Sequence, residues 1–243
     1  MTGATAIILA RAGSKGVPGK NVREVAGRPC IAWTVEHAQR SREVSRVVVS
    51  TDDARAAAVA RELGAEVVER PADLASDTAR VDDAARHAAR TLDEGRSTHA
   101  RDAAFVMLYA NVPVRPADLT DRAVKLLRET GCDSVQSYQA VGKHHPWWTA
   151  VVGEGGHVRP WEGDVLNHGM FRRQDLPAAH VPDGGVIALT RAALMLEVPG
   201  VPPGPHAFFG KDRRGVINPE GSVVDIDSAI DVVVAEAVLR GAR

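Results

Sequence analysis

The chain has 243 residues, 44% of them apolar and 25% charged, and carries a formal net charge of −1. That length suits one α/β domain with a modest appendage, and the composition is that of an ordinary globular protein, not a disordered or fibrous one. A near-neutral balance excludes a generally basic nucleic-acid binder and gives no sign of a membrane partner, while leaving room for a local cationic patch that handles a small anion.

In chain order, Ala6-Ile7-Ile8-Leu9 is a short continuous apolar run, the signature of a strand covered on both faces. The longer run Ala4 to Ala10 has no basic segment before it and is too short for a signal-peptide core or a membrane span, so a cytoplasmic setting is expected. A glycine- and cation-rich loop follows. Helical spacing of Ile31, Val35 and Ala38 predicts a helix from Cys30 to Arg40, with Pro29 suited to its first turn. Arg46 to Ser50 is a second buried strand. Asp52 or Asp53 can cap the alanine-rich helix that runs to Leu63, and Gly64 can stop it. Glu66-Val67-Val68 predicts a third strand, about Val81 to Leu92 a helix, Ala103 to Tyr109 a fourth strand, and Leu119 to Glu129 a helix followed by Gly131.

From Ser137 to His180 the pattern breaks, and the stretch carries Trp147, Trp148 and Trp161. It reads as an inserted flap, about 137–180, that forms a lid or a dimer contact. Gly185 to Leu189 returns to strand, and Asp227 to Leu239 closes the chain as a helix. Alternating strand and helix predicts one doubly wound, mostly parallel α/β sheet of Rossmann-like type, 1–243, with its ligand at the carboxyl ends of the strands. Those ends carry Arg11 to Asn21, Asp52-Asp53, Arg70-Pro71 and Asn111-Val112-Pro113. Cys30 and Cys132 lie in no metal-ligand spacing and read as buried small hydrophobes in a reducing compartment.

The loop holds Gly13, Gly16 and Gly19 with Arg11, Lys15, Lys20 and Arg23 nearby. Glycines let backbone N–H groups approach phosphate oxygens, and the cations neutralise a polyphosphate. Its spacing is not that of a P-loop: five residues separate Gly13 from Gly19, and Asn21, not Ser or Thr, follows Lys20. Nor is it the G-x-G-x-x-G of dinucleotide folds, which disfavours a nicotinamide oxidoreductase.

The run Leu9-Ala10-Arg11-Ala12-Gly13-Ser14-Lys15-Gly16-Val17-Pro18-Gly19-Lys20-Asn21 resembles the signature of the acylneuraminate cytidylyltransferases, the CMP-sialic acid synthetases and their relatives for other 2-keto-3-deoxy sugar acids. The resemblance continues in order through Val47 to Asp53, Arg70 to Ala79, His144-His145-Pro146, Arg172 to Pro177, Asp183-Gly184-Gly185, Phe208-Phe209 and Val224-Asp225-Ile226-Asp227. It implies an enzyme that joins CMP from CTP to an acidic sugar, releasing pyrophosphate. Ala10, Arg11, Gly13, Ser14, Lys15, Lys20 and Asn21 would grip the nucleotide, and Arg70 and Ala79 would border the cytosine. Asp225 and Asp227 would hold magnesium, with Asn111 as a further oxygen donor. Arg173 would meet the sugar carboxylate beside Gln174, between walls of Phe208 and Phe209. Arg11, Lys20 and Asp227 are the catalytic candidates, and a homodimer is expected.

Read without the family, Asp225 and Asp227 stand two apart, so on an extended segment both face one side, although Asp227 could instead cap the last helix. The sugar half departs from the family pattern. Tyr109 and Asn111-Val112 replace a Gln and a hydroxyl pair, Trp148 stands where a Lys is expected, and Arg80 and Val81 replace serines. These changes place Tyr109, Asn111 and Trp148 at the acceptor and point to an acid with fewer hydroxyls than sialic acid. Two other readings stay open on the sequence: a related nucleotidyltransferase using another NTP or acceptor, and a catalytically inactive nucleotide-binding homologue.

Overall fold

The computed structural model describes residues 3–13, 16–94 and 104–241. Eleven strands are present among them: β1 (Ala4–Ala10), β2 (Glu24–Val25), β3 (Arg28–Pro29), β4 (Val44–Thr51), β5 (Glu66–Glu69), β6 (Ala104–Tyr109), β7 (Ser134–Ala140), β8 (Ala150–Val152), β9 (Val158–Pro160), β10 (His180–Thr190) and β11 (Arg213–Asn218). The α-helices are α1 (Cys30–Arg40), α2 (Ala54–Glu62), α3 (Val81–Asp93), α4 (Leu119–Thr130), α5 (Arg191–Leu194) and α6 (Ala229–Gly241).

Seven strands form one sheet in the order β11-β7-β10-β6-β1-β4-β5. β10 pairs antiparallel with both of its neighbours, and the other pairings are parallel. The predicted doubly wound, mostly parallel sheet is therefore present. The chain leaves β1 for β4 and β5 on one side, then crosses to β6 on the other. This reversal opens a crevice at the carboxyl ends of β1 and β6, where such sheets bind ligands.

Side-chain alternation in β1 explains why its apolar run is continuous. Ala6, Ile8 and Ala10 pack with Ile31 and Val35 of α1 and Ala56 of α2 on one face. Ile7 and Leu9 pack with Ala85 and Ala88 of α3 on the other. Ile7 and Ile8 are fully buried, each contributing about 1.5–3 kcal/mol of transfer free energy. Ala-rich α2 and α3 let helices approach the sheet closely. Asp53 caps α2, its carboxylate accepting the Arg55 N–H at 2.8 Å, and Gly131 ends α4 in the left-handed region at φ 65°.

Two strands of the central sheet escape the sequence pattern. Ser134–Ala140 belongs to the central sheet, so residues 137–140 are part of the core and not of an insertion. Its polar residues hide it: buried Ser137 bonds Asp183, and Gln136 and Tyr138 face a cavity. β11 begins with exposed Arg213-Arg214-Gly215 and is legible only through buried Val216 and Asn218, as an edge strand should be. The segment between β7 and β10, residues 141–179, lies outside the sheet as short 3₁₀ turns and the β8–β9 hairpin. Buried His145 pins it, bonding the Pro177 carbonyl through Nε2 at 3.1 Å and accepting the Trp147 N–H at Nδ1. Among the described residues no helix is long and apolar enough to cross a membrane.

Candidate active site

The loop after β1 turns back on itself by local bonding. Lys20 N–H meets the Val17 carbonyl at 3.2 Å, Gly19 adopts φ 64°, and Asn21 Nδ2 donates to the Arg11 carbonyl at 2.8 Å. Val17 anchors the loop in a third apolar cluster with Val224, Ile226 and Val232. A side chain at Gly16 would collide with the Asp227 carbonyl oxygen, so glycine is what lets the loop touch the Asp225-Ile226-Asp227 segment. Gly13 meets no such restriction, since a Cβ there would find only Arg11 Nη1, at 3.6 Å.

Across the loop, the segment after β6 zips against the segment before α6. Val114 and Val224 form an antiparallel bridge, and the Ile226 N–H donates to the Asn111 carbonyl at 2.9 Å. Ile226 is fully buried, so Asp225 and Asp227 on either side of it both face the cavity, as their spacing predicts. Among the described residues no N–H of α6 donates to the Asp227 carboxylate. Asp231, in the first turn of α6, reaches back, its Oδ2 accepting the N–H groups of Asp227 and Ser228 at 3.1 and 2.7 Å and the Ser228 hydroxyl at 2.8 Å. Asp227 is left to accept from Lys20 Nζ at 2.7 Å.

These elements enclose a cavity of about 350 Å³ that brings together Arg11, Gly13, Lys20, Asn21, Arg70, Tyr109, Asn111, Asp225 and Asp227. Nine of the sequence-predicted residues therefore share one cavity. Arg11 reaches Asp77 Oδ1 at 2.8 Å, tying the first loop to the turn before α3. Buried Arg70 is held by the Ser50 hydroxyl and carbonyl, with no carboxylate bonded to it among the described residues, and burial pushes its guanidinium down to about 10. A second cavity of about 740 Å³ shares Gly13 and Arg70 and is lined further by Asp52, Glu69 and Pro71. A third, of about 420 Å³, shares Tyr109 with the first and contains Phe208 and Phe209, whose rings lie 4.2 Å apart. Burial pushes the Tyr109 phenol up to about 12.

The carboxylate pair is electrostatically strained. Asp225 is pushed up to about 6, first by burial and then by the charge of Asp227. Asn111 donates its amide nitrogen to Asp225 and to the Ile226 carbonyl, so its amide acts as a clamp on the carboxylate and does not present its oxygen there. Among the described residues no group of three or more His, Cys, Asp or Glu side chains gathers as a metal site. Two adjacent carboxylates that repel each other do fit a magnesium ion that takes its remaining ligands from phosphate oxygens and water.

Other candidates fall elsewhere. Ser14 and Lys15 lie outside the described residues. Ala10 packs in the core with Ile8, and Ala79 sits in a turn, its N–H on the Ser76 carbonyl; neither lines a cavity described above. Within this chain Trp148 lines none of the cavities described above, and its indole N–H donates to the Met170 carbonyl at 3.1 Å. Arg173 is exposed and paired with Glu220 at 3.0 Å, and exposed Gln174 stands beside it, both on the 141–179 segment. The departure from expectation is spatial, since sequence proximity to a motif does not say which way the segment folds.

Sequence reasoning missed Arg115. It donates to the carbonyls of Tyr109 (2.9 Å), Gly185 (2.7 Å) and Val112, and to the Thr34 hydroxyl (3.0 Å). Burial pushes it down to about 10. It stitches the turn that carries Tyr109 and Asn111 to α1 and β10. Asp183-Gly184-Gly185 is a second such knot, in which Asp183 accepts from the Gly185 N–H, Ser137 and Asn218.

A family model described as Cytidylyltransferase matches residues 5–144. The chain belongs to that family. It is 35% identical over 240 residues to the CMP-N,N'-diacetyllegionaminic acid synthase of Legionella pneumophila, covering 97% of this chain and 95% of the relative. It is 33% identical to the N-acylneuraminate cytidylyltransferase of Oncorhynchus mykiss over 97% of this chain and 50% of that protein, so the chain spans about half the length of that relative. The solved structure of a CMP:2-keto-3-deoxy-manno-octonic acid synthetase complexed with CTP superposes with a TM-score of 0.70 at 18% identity, covering both chains fully, which shows a shared fold.

Proposed function

We propose that this cytidylyltransferase family member transfers CMP from CTP to a nonulosonic or other 2-keto-3-deoxy sugar acid and releases pyrophosphate. The observation that carries the reading is the single cavity in which Arg11, Lys20 and Arg70 face Asp225 and Asp227 across a glycine loop. The cations suit a triphosphate, and the cavity bearing Asp52, Glu69 and Arg70 lies where a base would extend from it. The cavity walled by Phe208 and Phe209 meets the first at Tyr109 and suits the acceptor. The match to a CMP-N,N'-diacetyllegionaminic acid synthase along nearly its whole length supports an acidic sugar as the acceptor.

In this reading the anomeric oxygen bonds to the α-phosphorus as the bond to pyrophosphate breaks. Such transfer depends on positioning and charge neutralisation. Lys20 and Arg11 would stabilise charge developing on the phosphates, giving up their pairings with Asp227 and Asp77 to do so. Asp225 and Asp227 would hold magnesium, which supplies charge neutralisation and acidifies the attacking hydroxyl when bound. A cytoplasmic homodimer completes the proposal, with the dimer supported by the 85% exposed Phe171 and 65% exposed Trp161 of the segment 141–179.

The test is pyrophosphate release in magnesium with each of the four NTPs against a panel of 2-keto-3-deoxy sugar acids. Release with CTP and one or more acids, lost on chelation, supports the reading. CTP binding without release with any acid would favour an inactive nucleotide-binding homologue, and release with another NTP would favour a different nucleotidyltransferase.

A further inference from the structure

A fourth cavity, of about 750 Å³, lies between α1, the turn after β6, the start of α4 and the end of α6. It shares no lining residue with the three cavities described above. Its volume is that of a small-molecule site. The walls are mainly apolar, with Trp33, Val114, Pro116, Pro219, Val238 and Leu239 among them. Trp33 is fixed in orientation. Its indole N–H donates to the Val25 carbonyl at 3.1 Å, and Arg28, held by Glu36, stands 5.0 Å from its ring centroid.

The polar groups set into these walls favour an anion. Arg40, Arg115 and Arg122 line the cavity against Glu36 and Asp118. Glu36 is already bound by Arg28 and Arg40, at 2.9 and 3.3 Å. Arg115 is held by carbonyls and a hydroxyl, so no bonded carboxylate cancels its charge among the described residues. Arg122 spends its two terminal nitrogens on the Ile217 carbonyl and the Asn218 amide oxygen, at 3.2 and 2.6 Å. Its buried Nε has no hydrogen-bond partner, although Asp118 approaches it to 3.2 Å. An orphan donor of this kind is uncommon in a folded interior and suits an acceptor brought by a ligand. His37 engages Thr120 through Nε2, and its Nδ1 bonds nothing among the described residues. An apolar volume with a fixed aromatic ring, an excess of cations and unspent polar atoms is complementary to an acid with an apolar body.

We propose that this cavity is a second ligand site, which binds an aromatic carboxylic acid with its ring against Trp33 and its carboxylate toward Arg122, and that its occupancy is felt at the nucleotide cavity. The wall supplies the link. Pro113, Val114 and Arg115 line it and belong to the same turn as Asn111, which clamps Asp225. A ligand that shifts this turn changes the affinity of the nucleotide cavity, and the nucleotide changes the ligand's affinity by the same factor. The binding assignment stands apart from the functional reading above; the coupling rests on it.

The test is calorimetric titration of the unsubstituted protein with 1-naphthaleneacetate and with 1-naphthaleneacetamide, each with and without CTP. The acid should bind more tightly than the neutral amide by roughly 10- to 100-fold. Saturating acid should change the Kd of CTP by roughly 5-fold or more, and CTP should change that of the acid equally. Val238→Trp and Ala117→Trp fill the cavity from two different elements. Each should abolish acid binding and keep the Kd of CTP measured without acid. No acid binding at millimolar concentration, or equal binding of acid and amide, would overturn the assignment without any variant; so would unchanged acid binding in a folded filled variant. A dimer that Val238→Trp dissociates in light scattering, with no acid bound, would give the cavity to a second copy of the chain instead. Acid binding that leaves the Kd of CTP unchanged would overturn the coupling. Failure of CTP to bind at all would overturn the functional reading and the coupling, while the acid titration still decides the site.

Discussion

At the scale of single residues, Lys20 and Gly16 carry the clearest consequences. Lys20 is held 2.7 Å from Asp227 and is aimed into the phosphate cavity. One preorganised charge at a transition state is worth about 3–4 kcal/mol. Lys20→Ala should therefore lower kcat by roughly 10²–10³-fold while thermal melting stays cooperative; a folded variant with near-normal turnover would exclude the role. Gly16 is needed for space. Gly16→Ala must push the loop off the Asp227 carbonyl, and overpacking of this kind costs about 1–3 kcal/mol. The expected result is a loss of roughly 10- to 100-fold in kcat/KM for CTP, larger than that of Gly13→Ala, where the added methyl meets only a flexible arginine tip.

At the scale of elements, the site stands on two zippers: the loop after β1 against Asp227, and the turn after β6 against Val224 to Ile226. Arg115 holds the second from behind. Arg115→Ala leaves the carbonyls of Tyr109, Val112 and Gly185 without that donor in a buried setting. It should cost more than about 2 kcal/mol in urea denaturation, and it should lower kcat as well, because Tyr109 and Asn111 ride on the released turn. Stability loss with unchanged kcat would show that the turn keeps its shape without the arginine. The start of α6 belongs to this scale too: Asp231 holds the N–H groups of Asp227 and Ser228, and the Asp227 carboxylate faces Lys20.

At the scale of the whole molecule, α1 and α4 meet where His37 Nε2 contacts the Thr120 hydroxyl at 2.9 Å. Burial, then the nearby charge of Arg115, pushes His37 down to about 3. Below about pH 6.5 the unfolded chain takes up a proton that the fold refuses, so stability falls as pH drops from there toward 3. Urea midpoints should decline between pH 7 and pH 5 in the unsubstituted protein, and less steeply in His37→Gln; parallel declines would remove His37 from the account.

The sequence by itself determined the sheet core, the helices that cover it and the identity of the nucleotide side. Apolar runs, helical spacing, Asp53 and Gly131 are local signals, and the glycine-cation loop and the Asp-Ile-Asp spacing carry their chemistry in adjacent residues. β7 and β11 stayed hidden because they are polar: one lines a cavity with Gln136 and Tyr138, the other is an edge. Only the tertiary structure decided which cations are free. Arg173 is neutralised by Glu220, far along the chain, while Arg80 and Arg214 are neutralised by Asp82 and Asp212 two residues away; Arg213 is oriented by carbonyls and a ring, and Arg115 by oxygens of Thr34, Tyr109, Val112 and Gly185. Charge at a site is set by what surrounds each group in three dimensions, and for Arg173 and Arg115 those surroundings come from residues distant in the chain, which no local pattern encodes.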